Sequence, residues 1–219
     1  MSYVSAQRDQ LSHAQQWSDI AIEKAITNWK LTEKEQRQLM SFKIKLSDDE
    51  VDHFKNTPHE LGKYIRGPKG PDHAEEIFRS VIRWRKNSDE DIDNMLDDYK
   101  MPRTLWEYAP SGLLEGVDRE GDPIYLERAG DMDAYSLSQR YNRDELLKSV
   151  VWRREMTASG AWIDDYEKRH GHLPRQLNVV YDLKGLNSRH MNNGVLSFFK
   201  EAVAYTQDKY YGVSKVCLT

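Results

Sequence analysis

Hydrophobic and polar positions alternate in residues 176–185, which read QLNVVYDLKG. A period of two predicts a β-strand, and its more apolar face carries Leu177, Val179 and Tyr181. The turn DLKG ends this strand, a helical pattern with one apolar stripe follows, and a second apolar strand is predicted at Val213–Leu218. A strand, a crossover helix and a second strand form a parallel βαβ unit with a right-handed connection. We expect this unit to be the centre of the fold.

Amphipathic helical patterns fill the first hundred residues. Thr32 followed by Glu35 predicts a capping box at the start of a helix. From Pro71 onward, apolar residues recur at i, i+3, i+4, i+7 and i+8, which predicts the most regular helix of the chain. We interpret residues 1–30 as an appended helix and residues 31–100 as a bundle of short helices.

A different pattern begins after the helical bundle. Ser111–Val117 and Pro123–Glu127 flank the polar turn DREG and predict a β-hairpin. Asn142 with Glu145 predicts the start of a long helix, which is expected to run to about Arg169. Because strands and helices alternate from here to the last residue, this part of the chain is predicted to have an α/β fold.

Composition and charge narrow the class of protein. With 38% hydrophobic and 31% charged residues, the chain of 219 residues has material for a core and a strongly charged surface. A net charge of −4 gives no electrostatic reason to expect a nucleic-acid partner. No apolar run approaches the roughly 20 residues of a membrane-spanning helix, and the opening MSYVSAQRDQ lacks the apolar core of a secretory leader. We therefore predict a cytoplasmic protein, in which Cys217 is buried and inert.

Candidate catalytic and metal-binding residues are isolated from one another. The chain has seven histidines, and no two share a metal-ligand spacing on a predictable element. Asp182 follows a strand, where open α/β folds bind ligands, but the sequence offers no partner for a general base there. Turn capping is its favoured role. We predict a protein that is not an enzyme and that has no cofactor and no metal.

Apolar positions on the predicted strands and on the long helix are the remaining candidates for a site. Two strands would form one side of a cavity, and the helix would form its wall, with one serine as a polar contact. These positions are Ile124, Leu126, Leu177, Val179 and Tyr181 on the strands, and Leu146, Ser149 and Val150 on the helix. Spacing alone favours a plain core over a ligand pocket, because cores and pockets use the same residue types.

Several segments, taken in order, resemble one protein family. LTEKEQ, LGKYIRGPKG and HAEEIFRSVIRWRKN, within residues 31–87, are similar to the helical N-terminal module of CRAL-TRIO proteins. GLLEGVDREGDPIYLERAGDMD, DELLKSVVWRREM and VVYDLKGLNSRHM continue the resemblance into the lipid-binding domain. This family includes phosphatidylinositol/phosphatidylcholine transfer proteins and tocopherol- and retinaldehyde-binding proteins.

The resemblance implies an α/β fold in which an N-terminal helical bundle precedes a mixed sheet that floors a hydrophobic pocket. The candidate positions named above fall on elements that line this pocket in relatives. The implied function is non-enzymatic binding and intracellular transfer of a hydrophobic ligand, either a phospholipid such as phosphatidylinositol or a tocopherol- or retinoid-like lipid. Burial of each CH₂ group would contribute roughly 0.8 kcal/mol. Transient contact with a membrane surface is also implied.

The resemblance further implies that the lipid-binding domain, residues 101–219, is truncated. In relatives this domain continues past the strand predicted at Val213–Leu218 with another strand and a gating helix. The incomplete mixed sheet is expected to have an unpaired edge. The alternative hypothesis is an interaction or regulatory module without transfer activity, which would dock a protein partner through this sheet and the helix Phe78–Lys86.

Overall fold

A computed structural model gives the fold, and it describes residues 22–47, 50, 61–67, 69–88, 91–158, 160–187, 190, 193–210 and 214–218. The helices are α1 (residues 22–29), α2 (Glu33–Ile44), α3 (Leu61–Arg66), α4 (Ala74–Asn87), α5 (Met95–Asp98), α6 (Arg103–Tyr108), α7 (Ala134–Arg140), α8 (Arg143–Ala158), α9 (Gly160–His170) and α10 (Asn193–Lys209). The strands are β1 (Ser111–Val117), β2 (Pro123–Glu127), β3 (Leu177–Tyr181) and β4 (Ser214–Leu218).

The described residues form two compact units. The first comprises the residues up to Arg83 together with residues 159–175, and the second comprises residues 84–158 together with residues 176–219. The domain boundaries predicted at about residues 30 and 100 stay predictions. Of the predicted appended helix, only the part from residue 22 onward is described, and it is helical as far as residue 29.

Aromatic side chains form the core of the first unit. The ring centroids of Phe42 and Phe78 lie 5.4 Å apart, as do those of Tyr64 and Phe78, and both pairs are edge-to-face. Trp29 is buried against α3, because Gly62 leaves room for its ring: a Cβ atom on Gly62 would lie 2.1 Å from Trp29 Cδ1.

The capping box predicted at the start of α2 is confirmed. Glu35 N donates to Thr32 Oγ1 at 3.4 Å, and Thr32 N donates back to Glu35 Oε2 at 2.8 Å. Arg66 joins the cap, since its Nε lies 2.8 Å from Glu35 Oε1 and its Nη2 donates to Lys30 O at 3.0 Å. The hydrogen bond from Arg66, assisted by those from Thr32, lowers the pKa of Glu35 to about 2.

The pH dependence of stability is expected to report this cap. Because the folded-state pKa of Glu35 is depressed from 4.5 to about 2, its contribution is complete above pH 4.5 and is lost as the pH falls towards 2. Urea unfolding should therefore separate wild type from Glu35→Gln at pH 7 and bring them together near pH 2. Glu33→Gln, which changes an exposed carboxylate in the same helical turn, is the control. An equal gap between wild type and Glu35→Gln at both pH values would contradict the assignment.

The docking surface of the alternative hypothesis, Phe78–Lys86, lies on helix α4 and is partly engaged in the core, although Arg83 and Lys86 are exposed. Phe78, the first aromatic residue of that surface, is fully buried. Arg79 forms ion pairs with Glu50 and Glu75, so this cation of the helix is already engaged within the first unit. The regular amphipathic pattern predicted for this helix is confirmed, and its apolar face serves the core.

The second unit is built on a mixed sheet with strand order β1-β2-β3-β4. Strands β1 and β2 are antiparallel, which confirms the predicted hairpin, and β3 and β4 are parallel and flank α10, which confirms the predicted βαβ unit. Asp118 shapes the hairpin turn: its Oδ1 accepts from Glu120 N and Asp122 N, each at 2.8 Å. Its Oδ2 accepts from Asn178 Nδ2 at 2.8 Å, which ties the turn to the buried start of β3.

Strand register decides which side chains share a face of the sheet. Tyr125 pairs with Val179 and Glu127 with Tyr181 in the parallel β2–β3 ladder. Paired residues of neighbouring strands point to the same side, so these four side chains share one face with Leu177. The sequence pattern predicts Ile124 and Leu126 on that same face. The register instead places Ile124 and Leu126 on the other face of the sheet, where they pair with Asn178 and Val180.

The turn DLKG packs against a glycine of the segment that follows β2. Gly130 N donates to Asp182 O at 3.1 Å, and a Cβ atom on Gly130 would lie 1.9 Å from Lys184 O. Gly185 has a φ of +91°, a left-handed conformation that favours glycine. Asp182 Oδ1 accepts from Lys184 N at 2.9 Å, so the predicted turn-capping role is confirmed.

Two further predicted features are wrong. The long helix expected to reach Arg169 is two helices, α8 and α9, and the second begins at Gly160, a residue with low helix propensity. Cys217 is exposed rather than buried, because β4 is the last strand of the described sheet and nothing described covers its thiol. Within the described part of the chain, no helix combines the length and apolarity that crossing a membrane requires. The cytoplasmic location stays a prediction.

Candidate functional site

A cavity of about 80 Å³ lies in the second unit, between the β2–β3 face of the sheet and the helices α8 and α10. The described residues that line it come from all four elements. They are Tyr125 and Glu127 of β2, Leu177 and Tyr181 of β3, Val150, Arg153, Arg154 and Thr157 of α8, and Phe198, Phe199, Ala202, Val203 and Thr206 of α10.

Regular periodicity explains how four separate segments present these side chains together. Two residues of β2 and two of β3 have even spacings and share one face of the sheet. On α8 the lining positions begin at Val150 and follow an i, i+3, i+4, i+7 pattern, which is one stripe of a helix. Helix α8 starts where predicted, because Asn142 Oδ1 accepts from Glu145 N at 2.9 Å and Glu145 Oε2 accepts from Asn142 N at 2.8 Å.

The structure brings together only part of the site set that the sequence predicts. Val150, Leu177 and Tyr181 border the cavity. Val179 is fully buried beneath it, in a core cluster with Leu177. Ser149 is buried and donates to the carbonyl oxygen of Leu146 at 2.7 Å, within its own helix.

The remaining members of the predicted set lie away from the cavity. Ile124 and Leu126 point to the other face of the sheet, and Leu146 lies one turn before the lining stripe of α8.

Sequence reasoning missed most of the polar lining. Tyr125 and Glu127 alternate with the apolar residues of β2 and therefore resemble a solvent-facing set. Arg153 and Arg154 lie in the charged run WRRE, which resembles the exposed side of a helix. The signal that would have found them is the combination of the two patterns, because a strand carboxylate can offset part of the charge of an arginine pair when a helix covers the sheet.

Arg153 is held in place by neutral groups. Its Nη1 donates to Ser111 Oγ at 2.8 Å, and its Nη2 donates to the carbonyl oxygens of Leu105 and Ala109, each at 3.3 Å. Its guanidinium carbon lies 4.8 Å from the centroid of the Trp106 ring. The Nε of Arg153 is buried and has no hydrogen-bond partner among the described residues. These contacts orient the guanidinium group, and none of them pairs it with a carboxylate.

Burial controls the protonation of the other polar groups of the cavity. It raises the pKa of Glu127, and the guanidinium groups of Arg154 and Arg153 oppose this rise. Burial also raises the pKa of Tyr181 to about 12, and the nearby Glu127 adds to the shift. Burial likewise raises the pKa of Tyr125. Both tyrosine hydroxyls are therefore protonated at neutral pH and can donate hydrogen bonds into the cavity.

An ionic network fixes the C-terminal end of α10 against α8. Arg85 donates from Nη1 and Nη2 to the two carboxylate oxygens of Glu155, each at 3.0 Å, and from Nε to Asp93 Oδ1 at 2.7 Å. The Tyr210 hydroxyl, just after α10, donates to Glu155 Oε1 at 2.7 Å. Although burial opposes its charge, the two carboxylates hold the pKa of Arg85 above its ordinary value. Two walls of the cavity are thus joined at one end.

The cavity and the sheet that floors it lie in a segment that matches a known protein family. A family model of the CRAL/TRIO domain matches residues 111–218. The chain belongs to the CRAL/TRIO family through this domain. The solved structure titled "Crystal structure of Sfh5" is similar in fold, with a TM-score of 0.54 and 11% identity over 78% of this chain and 57% of that chain.

Curated relatives of the CRAL/TRIO domain come from insects, plants and yeast. Protein real-time of Anopheles gambiae is 31% identical over 55% of this chain and 17% of the relative. Phosphatidylinositol/phosphatidylcholine transfer protein SFH7 of Arabidopsis thaliana is 23% identical over 69% of this chain and 28% of the relative. SEC14 cytosolic factor of Candida glabrata is 25% identical over 63% of this chain and 44% of the relative. The chain thus spans less than half the length of each of these relatives.

The cavity of the CRAL/TRIO domain combines apolar surface with hydrogen-bond donors. Its apolar walls can bury hydrocarbon, and its hydroxyl and guanidinium groups can donate hydrogen bonds to a polar end. Across the part of the chain that the structure describes, no three His, Cys, Asp or Glu side chains are grouped to hold a metal ion.

Proposed function

We propose that the CRAL/TRIO domain binds a hydrophobic ligand in the cavity between β2, β3, α8 and α10, and transfers it between membranes without covalent chemistry. The observation that carries this proposal is the apolar stripe of α10, which faces the sheet across a cavity inside the segment that matches the family. Of the residues predicted from the sequence, we propose Val150, Leu177 and Tyr181 as ligand contacts.

The names of two relatives support a phospholipid as the ligand. The SFH7 and SFH4 proteins of Arabidopsis thaliana are both named phosphatidylinositol/phosphatidylcholine transfer proteins. We propose a phospholipid such as phosphatidylinositol for this chain, with a tocopherol- or retinoid-like lipid as the alternative. Transfer would require transient contact with a membrane surface, and we place it in the cytoplasm.

The size of the cavity sets a condition on binding. Its volume is about 80 Å³, whereas pockets for small-molecule ligands usually measure about 300–1,000 Å³. A whole lipid therefore requires the cavity to widen. Helix α10 is the wall that we expect to move, because Val203 lines the cavity and is 54% exposed, so that α10 also borders solvent. Val203→Asp is unsuitable as a test, since the exposed side chain can turn into water.

Filling the cavity is expected to abolish transfer. Ala202→Trp places an indole where Ala202, 7% exposed, lines the cavity. Excluding even two CH₂ groups of ligand would cost about 1.6 kcal/mol, so binding should weaken more than tenfold. Ala204→Trp on the exposed side of the same helix is the matched control. Transfer of fluorescent phosphatidylinositol between vesicles measures the effect, with circular dichroism to check folding, and Ala202→Leu serves as a milder variant. Equal transfer by both tryptophan variants would contradict the site.

Native mass spectrometry of the chain purified from eukaryotic cells tests the proposal most directly. A lipid bound at one copy per chain is the expected result, and its mass would identify the class. A folded protein without any lipid, and without uptake from vesicles, would overturn the proposal. The alternative of a protein-interaction module would then be favoured over lipid transfer.

A further inference from the structure

Among the described lining residues, the charged ones are confined to β2 and α8. Helix α10 contributes hydrocarbon and aromatic surface from Phe198, Phe199, Ala202 and Val203. The charged groups come from the opposite side, where Arg153 and Arg154 of α8 lie near Glu127 of β2. A ligand that fits this arrangement has a hydrocarbon chain along α10 and a polar end at the sheet and α8.

The charged side of the cavity carries an excess of positive charge. Two guanidinium groups and one carboxylate give a net charge of +1 among the charged lining residues. Arg153 is oriented by a hydroxyl, two carbonyl oxygens and an indole, none of which neutralises it. Its buried Nε has no acceptor among the described residues, although buried N–H groups usually have one.

We infer that the ligand of this cavity is an anionic amphiphile, whose carboxylate or phosphate lies against Arg153 and Arg154. One negative charge brings the charged lining to neutrality and supplies an acceptor for the buried Nε of Arg153, and a planar guanidinium group suits both kinds of anion. The protonated hydroxyls of Tyr125 and Tyr181 can donate to the same group. A neutral head, such as an alcohol, leaves the excess positive charge in place. This inference rests on the proposed function, because it names the class of ligand for the same cavity.

A pair of ligands with the same hydrocarbon chain isolates the head group. Oleate and oleyl alcohol are titrated into the chain by calorimetry at pH 8, where a carboxylate is ionised. We expect oleate to bind at least tenfold more tightly, which corresponds to about 1.4 kcal/mol. Oleoyl lysophosphatidic acid is the third ligand. Tight binding of oleate assigns a carboxylate as a sufficient head group, and tight binding of the phosphate ligand alone assigns phosphate.

Three variants test whether the preference for an anionic head group arises from the cavity. Arg154→Gln removes one positive charge and should reduce the preference for the anion severalfold, whereas Arg154→Lys keeps the charge and should retain most of it. Arg103→Gln removes a positive charge from α6, where the side chain is 91% exposed, and should change nothing. Circular dichroism confirms that each variant is folded.

The possible results separate this inference from the proposed function. If neither oleate nor oleoyl lysophosphatidic acid binds more tightly than oleyl alcohol, the inference is overturned and hydrophobic binding is left intact. No binding of any of the three ligands, with no lipid found by mass spectrometry, would overturn both. A preference for the anion that survives in Arg154→Gln and Arg153→Gln alike would place the anion elsewhere and also overturn the inference.

Discussion

Replacing Glu155 by alanine is expected to lower the free energy of unfolding by about 3–5 kcal/mol, the usual cost of removing one partner of a buried ion pair. The side chains of Arg85 and Glu155 are only 15% and 11% exposed. Without Glu155, Asp93 is the carboxylate partner that Arg85 keeps among the described residues, and the side chain of Asp93 is 65% exposed. The partly buried Tyr210 hydroxyl loses its acceptor as well. Urea unfolding followed by tryptophan fluorescence measures the loss.

A surface ion pair provides the comparison for this prediction. Arg103 and Glu107 approach to 3.0 Å on α6, but their side chains are 91% and 52% exposed, so Glu107→Ala should cost less than about 1 kcal/mol. The double variant Arg85→Met with Glu155→Leu tests the reason, because apolar side chains leave no unpaired charge. It should be more stable than Glu155→Ala alone. If the double variant is equally unstable, the loss comes from packing and not from the unpaired charge.

The parts of the fold that the sequence predicts correctly depend on contacts between near neighbours. The cap at Thr32 involves residues three positions apart, and the turn at Asp182 closes on its own backbone. Hairpin and βαβ patterns also depend on short segments and on a fixed handedness of connection. The division between α8 and α9 is not predicted by the sequence, because a single glycine such as Gly160 weakens a helix without ending it.

The candidate site depends on contacts between distant segments, which the sequence pattern does not contain. Alternation in β2 separates Ile124 and Leu126 from Tyr125 and Glu127, but it does not say which pair faces the covering helices. The register with β3 decides it, and the pair that looks polar faces the cavity. Apolar character alone therefore selects the wrong face of β2. The same limit applies to Cys217, whose exposure depends on what covers β4 rather than on the residues beside it.

Replacing Gly130 by alanine is expected to destabilise the second unit by more than about 3 kcal/mol, above the usual range of about 1–3 kcal/mol for overpacking. A Cβ atom there would lie 1.9 Å from Lys184 O and 2.6 Å from Lys184 C. These are backbone atoms, so no flexible side chain can move aside. The turn must shift, and the hydrogen bond from Gly130 N to Asp182 O would be lost with it.

Gly116→Ala is the matched control for Gly130→Ala, because a Cβ atom on Gly116 meets nothing within 4 Å and the residue lies in a strand, where alanine is no worse than glycine. Urea unfolding should place Gly116→Ala within about 0.5 kcal/mol of wild type, the range of ordinary surface substitutions. The displaced turn follows β3 directly, so Gly130→Ala should also weaken ligand binding at Tyr181, the last residue of that strand. If Gly130→Ala is as stable as Gly116→Ala, the close packing of this segment on the turn DLKG does not occur in solution.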